Sequence, residues 1–385
     1  MNVSVIASTK DGYVLPVADA ELHAGHAAGI CYMKDDFDSI LAEPAEKTER
    51  RFAGTAGSGH HSVSGHPSYN LLIEGIPKII AMILNNEQDY NTSEKSARYT
   101  TMTTSDLERE IYEKWIEKFT TLISARYPVI PATTVNKLAK ENARYFISIF
   151  TPSTVMEYTV DFRQGNYLIG FMEDLAKNSS VGDLFYDRLR PYLIETAKQF
   201  RSIFNDDRIR DNKGRKISLF GNRERREYFG DVYSVNYSGS FAEMAQAHRH
   251  RSLKYEMLLP DLADCEFFVP PIIRDADTRA EYLADMNKLK ENYPQGMIVR
   301  INERGTLEAF ISKCHERLCG AAQLEICLQT KETLERYISG AILDGDVEVY
   351  KALRQLEGKT KCTFGYYHCD RPCPLGPANA FTREI

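Results

Sequence analysis

Gln246-Ala247-His248-Arg249-His250-Arg251-Ser252 sets four cationic or imidazole side chains in a row behind the apolar-polar segment Phe241 to Ala247. A cluster of this kind at the end of a helix suits an anion or a nucleotide. Alone, it reads more readily as a solvated basic patch. Far upstream, Ser93-Glu94-Lys95-Ser96-Ala97-Arg98-Tyr99 brings hydroxyls, a carboxylate and an arginine together, and reads as the other half of one motif.

With 385 residues the chain exceeds the usual size of a single core, so two domains are expected. A hydrophobic share of 43% is enough for sizeable cores in both. The net charge of −6 argues against a general nucleic-acid binder, whose affinity rests on phosphate neutralisation. Any anionic ligand must instead meet a local basic cluster. Met1 to Leu15 has no basic segment followed by an apolar one, and no window approaches 18 uninterrupted apolar residues. A cytoplasmic protein without a membrane partner is therefore expected. Of eight cysteines, seven lie from Cys265 onward, which points to free thiols or a metal site rather than a disulfide framework.

Along the chain, Val3 to Ala7 reads as a strand and Asp19 to Cys31 as an Ala-rich helix, with Asp35 or Asp36 capping a further helix through Leu41. Gly57 to Pro67 reads as a loop. Tyr69 to Leu84 is apolar nearly all round; Pro77 divides it into a strand-like first half and a helical second half. Ser105-Asp106-Leu107-Glu108 has the form of a capping box, opening a helix that buries Leu107, Ile111, Trp115, Phe119 and Leu122. Helices follow at Gly165 to Leu175 and Val181 to Phe204, the latter broken or kinked at Pro191. The charged run from Asn205 to Glu227 reads as a solvated linker. Beyond it come a β-like run from Val232 to Val235, a helix through Gln246, further helices at Arg279 to Asn292, Thr306 to Leu318, Ala321 to Tyr337 and Val347 to Leu356, and an irregular tail from Lys361.

Ala28-Gly29-Ile30-Cys31-Tyr32, Gly59-His60-His61-Ser62-Val63 with His66, Ile73-Glu74-Gly75-Ile76 and the Ser93 to Tyr99 stretch together resemble the flavin-dependent thymidylate synthases, the ThyX family. That family's signature has the form RHRxxSxNExSxRY. The first half keeps ExSxRY, but Asn86, Glu87 and Gln88 stand at the RHR positions, Asn91 at the first Ser and Ser93 at the Asn. Gly65 stands where the family's HxTPFEH-like loop has Glu. The second half looks like a more distant copy: Gln246 to Arg251 is similar to the QxxRHR segment, Asn302 and Arg304 with Leu307 and Phe310 to the NxR helix, and Ala322 to Ile326 to the AQWEI region.

The resemblance implies an α+β fold of two tandem ThyX-like domains, helix-rich with a small antiparallel sheet in each. Residues 1–204 form the domain with ExSxRY, 205–227 a linker, 228–360 the domain with QxxRHR and 361–385 a Cys/Pro-rich tail. It implies FAD-dependent C5-methylation of a pyrimidine nucleotide, dUMP first, with methylenetetrahydrofolate and NADPH as cosubstrates. The site is split between the domains of a homodimer that mimics the family tetramer. Glu94, Ser96, Arg98, Gln246 and Arg249 match nucleotide-binding positions; His60, Ser62, His315 and Arg317 match flavin-contacting ones. His250 and Arg251 are assigned as cations that stabilise reduced flavin, and Arg249, His250 and Arg251 form the catalytic cluster. The same residues also allow another nucleotide or one-carbon group, or a non-catalytic nucleotide-binding relative. Outside the resemblance, Cys362, Cys369 and Cys373, with one of Cys265, Cys314 or Cys319, are candidate ligands for structural zinc or an iron-sulfur cluster.

Overall fold

The computed structural model describes residues 1–385 except 9–16, 33–36, 59–60, 88, 95–104, 153, 211–215, 366, 368 and 370–372. In chain order the elements are β1 (Asn2–Ser8), α1 (Val17–Tyr32), α2 (Phe37–Leu41), α3 (Ala45–Gly57), β2 (Ser68–Ile76), α4 (Lys78–Asn86), β3 (Tyr90–Glu94), α5 (Asp106–Arg126), α6 (Ala132–Ala143), β4 (Thr154–Asp161), α7 (Phe162–Asn178), α8 (Leu184–Arg201) and α9 (Asp207–Arg210). They continue with β5 (Tyr228–Phe229), β6 (Val232–Ser240), α10 (Phe241–Ala247), β7 (Lys254–Leu258), α11 (Ala276–Lys288), β8 (Ile298–Thr306), α12 (Leu307–Arg317), α13 (Leu324–Asp344) and α14 (Val347–Arg354). The chain forms two compact units: Met1–Lys95 with Pro152–Ile217, and Ser96–Thr151 with Ser218–Ile385.

Each unit holds one four-stranded antiparallel sheet. The order is β1-β2-β4-β3 in the first and β5-β6-β8-β7 in the second, the same order in both. The helix-rich α+β fold with a small sheet per half is therefore present.

Local sequence explains several boundaries. Pro77 is the N-cap between β2 and α4, since it offers no N–H to a ladder and its fixed φ suits a helix entry. The capping box closes as read, with Ser105 and Glu108 satisfying one another's backbone donors at the start of α5. Leu107 is the exception on that helix: it lies 45% exposed, and Tyr112 and Ile123 join Ile111, Trp115 and Phe119 in the buried face. The 3.6-residue repeat decides this, because positions 112 and 123 share a side with 115 and 119 while 107, in the first turn, rotates outward.

Two further expectations change. α8 runs through Pro191 without a break, held by Leu189 and Leu193 buried on either side of it. Asn302 and Arg304 lie on strand β8, not on a helix; the helix starts at Leu307 behind the capping side chain of Thr306. Between 205 and 227, Asp206, Ile209 and Leu219 are buried. In the tail, Ala380, Arg383 and Ile385 are buried. The Asp35 and Asp36 caps lie outside the described residues.

The aromatic core of the second unit centres on Trp115. Its ring stacks on Phe146 at 5.5 Å and meets Tyr282 edge-on at 5.0 Å, while its Nε1 donates to Asp285 at 3.0 Å. α5 and α6 thus share a core with α11 and the loop at Ile272 and Ile273.

Candidate functional site

α10 opens at Ser240, whose Oγ accepts from Glu243 N–H, and the basic cluster follows directly on its C-terminal end. His248 caps its C-terminal end, so the next three residues fall where the chain turns toward β7. Arg249 and Arg251 are exposed; His250 is largely buried. The Arg317 guanidinium donates from Nε to His250 Nε2 at 2.7 Å and from Nη2 to the Gln246 carbonyl at 3.3 Å. Burial pushes the His250 imidazole down to about 2, with Arg317 and Lys313 adding to the effect. His250 is therefore a neutral acceptor of the Arg317 hydrogen bond.

The polar chain runs inward from there. Gln246 donates its amide to Gln323 Oε1, and Gln323 donates to the Tyr145 hydroxyl. Tyr145 donates to Glu325 Oε2 at 3.1 Å, and Glu325 also accepts from the backbone and hydroxyl of Ser240, both at 2.6 Å. Burial raises the Glu325 carboxyl against these bonds and against the charge of Arg144. Arg144 itself is 9% exposed, with its Cζ 6.0 Å over the Tyr145 ring. Its Nε and Nη2 have no hydrogen-bond partner among the described residues. Glu325 also lines a cleft of about 700 Å³ with Tyr237, Phe268, Arg300 and Arg336.

In the first unit, Glu94 ends β3 with its side chain 4% exposed. Lys78 Nζ donates to its Oε1 at 2.6 Å, and Thr154 Oγ1 donates to the same oxygen at 2.9 Å. Ser62 is exposed on the short helical turn His61–Gly65. His61 next to it is buried, between the Tyr167 hydroxyl at 2.7 Å and the Ala56 carbonyl at 3.1 Å. At Gly65 an added Cβ would meet Asp161 Oδ2 at 3.4 Å, so a neighbouring strand already supplies a carboxylate there. His60, Ser96 and Arg98 lie outside the described residues.

Residues 14–165 match the family model of the thymidylate synthase complementing proteins. The match is confined to that stretch, which lies in the first half of the chain. Among curated proteins no match was found. Two solved structures are similar at low identity. The UMP/dUMP methylase PolB from Streptomyces cacaoi, bound with 5-Br dUMP, is 14% identical over 52% of this chain and 90% of its own, with a TM-score of 0.35. Thymidylate Synthase X from Helicobacter pylori, with FAD and dUMP, is 18% identical over 54% of this chain and 100% of its own, with a TM-score of 0.32.

Within the matched stretch lie two buried or ion-paired residues that motif reading passed over, Arg144 and Lys78. Each carries a local signal. Arg144 is a lone cation ahead of the wholly buried run Tyr145 to Phe150. Lys78 sits at the first position of α4, where the helix dipole disfavours a cation, so it needs a specific acidic partner. Thr154, at the start of β4, had no sequence signal.

The structure brings Gln246, His250 and Arg317 together, and keeps His315 on another face of α12, its ring 5.0 Å from Phe364. Among the described residues no three His, Cys, Asp or Glu side chains group as metal ligands. Cys362 is exposed, with its Sγ 3.3 Å from Thr360 Oγ1, and Cys373 packs against Gly320. Cys314 is fully buried, its thiol pushed far up by that burial. The expected cysteine set is thus not assembled among these residues.

Proposed function

We propose that the chain is a flavin-dependent methylase of a pyrimidine nucleotide, with dUMP as the leading substrate, methylenetetrahydrofolate as one-carbon donor and NADPH as reductant. The observation that carries this reading is the buried Arg144 guanidinium, whose Nε and Nη2 lack partners among the described residues. A buried guanidinium with donors unmet among the described residues is costly, and a ligand phosphate or flavin anion supplies the missing acceptors. From Tyr145, whose ring lies beside Arg144, hydrogen bonds lead through Gln323 to Gln246 and Arg317, and amide, hydroxyl and guanidinium donors of this kind fit nucleotide and flavin oxygens.

When bound, flavin, folate and NADPH supply the hydride and carbon chemistry. The chain's own residues bind and orient. Arg144 and Arg249 take the nucleotide phosphate, and Gln246, held by Gln323, fixes a ring or ribose oxygen. Arg317 provides the fixed positive charge for an electron-rich flavin, oriented by its bond to neutral His250. Arg251 adds charge at the surface. Glu94, Ser96 and Arg98 supply the second half of the signature, in a homodimer of two-domain chains.

The purified chain should bind FAD and turn yellow, and dUMP should accelerate oxidation of its reduced flavin. Arg98→Ala and Arg249→Ala should each weaken dUMP binding about ten- to a hundredfold, the usual cost of losing a charged hydrogen bond. Turnover with UMP or dCMP in place of dUMP would move the reading to a sister substrate. A colourless chain that takes up no FAD but binds dUMP would mark a non-catalytic nucleotide-binding relative.

A further inference from the structure

We propose that Lys78 and Thr154 are positioning residues for Glu94, and that the second unit is a copy of the first in which these three residues were replaced as a set. The inference rests on the nucleotide-binding reading of Glu94 given above.

The two sheets agree pair by pair. Asn91, Thr92, Ser93 and Glu94 lie opposite Thr159, Tyr158, Glu157 and Met156. Lys254, Tyr255, Glu256 and Met257 lie opposite Arg304, Glu303, Asn302 and Ile301. In both units the last strand ends on a side chain that caps the following helix, Asp161 in one and Thr306 in the other. Counted back from these caps, Met156 corresponds to Ile301 and Thr154 to Val299. Counted forward from the caps Pro77 and Ser240, Lys78 corresponds to Phe241, and the same count carries Glu94 to Met257. Two independent counts therefore give one correspondence. The single mismatch, one residue in β2, is the bulge at Gly75, whose φ of 65° only glycine adopts cheaply.

On this correspondence the first unit holds Lys78, Glu94 and Thr154 where the second holds Phe241, Met257 and Val299. All three replacements are apolar and buried. The same strand order thus forms with an apolar trio, and exchanging a buried ion pair for packed apolar groups is often neutral or stabilising. The polar trio is consequently not there for the fold. Its geometry is that of a clamp: an ammonium and a hydroxyl both engage Glu94 Oε1, which fixes the rotamer of the carboxylate.

The test uses the full chain and dUMP. Lys78→Met should weaken dUMP binding about ten- to a hundredfold. Lys78→Arg should restore it, and Thr154→Val should weaken binding by a smaller factor. The triple variant Lys78→Phe, Glu94→Met, Thr154→Val should fold with an unchanged or higher thermal midpoint and bind dUMP poorly. Wild type that binds dUMP, with Lys78→Met and Thr154→Val matching it in affinity, overturns the positioning role. A triple variant that fails to fold overturns the correspondence between units. Wild type that fails to bind dUMP sinks the underlying function reading instead.

Discussion

At single residues, burial decides charge, and charge decides role. His250 belongs to a basic run, yet its largely buried ring accepts from Arg317 and stays neutral, so the positive charge of that hydrogen bond sits on Arg317. Arg144 is the reverse case, a buried guanidinium with unmet donors. Arg144→Met should leave the thermal midpoint unchanged or raised while lowering dUMP affinity at least about tenfold; a large loss of stability with unchanged affinity, by melting and titration calorimetry, would make Arg144 structural. Glu243 is fully buried on α10, and neither carboxylate oxygen has a partner among the described residues. Burial pushes its carboxyl well above the usual value, against Lys313 and Arg317, with Glu325 and Glu303 adding to the rise. A raised acid contributes stability that is complete below the unfolded value near 4.5 and is lost as pH rises toward the folded value. Wild type should thus lose up to about 1.4 kcal/mol per pH unit in that window, and Glu243→Gln should flatten the slope in urea melts from pH 5 to 8.

Elements were legible where one residue type punctuates the chain. Pro77 splits an apolar run into β2 and α4, and the Ser105 to Glu108 box starts α5, because a missing N–H and a reciprocal cap are local effects. Ser105→Ala should cost about 1 kcal/mol, read as a lowered denaturation midpoint with dUMP affinity unchanged. β8 was hidden for a physical reason. Its centre, Asn302-Glu303-Arg304, looks like solvated helix in one dimension, but Glu303 is fully buried by Tyr233, Tyr237 and Lys313. Lys313 and Glu303 are both 0% exposed, with 2.5 Å between Nζ and Oε2. Partners distant in sequence made a polar strand buriable.

Over the whole molecule, the chain is divided across its own order: 96–151 packs with 218–385. Trp115 and Phe119 of α5 meet Tyr282 of α11 in one aromatic core, and Lys114 and Lys118 pair with Glu281 at 2.7 Å and as a close contact. A fragment of residues 218–385 should therefore lack near-ultraviolet dichroism and expose its apolar face, and adding back 96–151 in one chain should restore a cooperative melt. A fragment that melts cooperatively alone would show that the Trp115 core is dispensable.

Composition, punctuation and the two signature halves by themselves pointed to the helix-rich α+β class, the likeness of the first half to the flavin-dependent thymidylate synthases and the basic and carboxylate residues to watch. Those signals are local or repeat at fixed spacing, so one dimension holds them. Only the tertiary structure decided that Gln246-Ala247-His248-Arg249-His250-Arg251-Ser252 presents Arg249 and Arg251 outward and a neutral His250 inward, that Arg144 is buried with donors unmet among the described residues, and that Lys78 and Thr154 hold Glu94. Protonation and hydrogen-bond satisfaction depend on what surrounds a group in space, and for these residues most of the surroundings come from far along the chain.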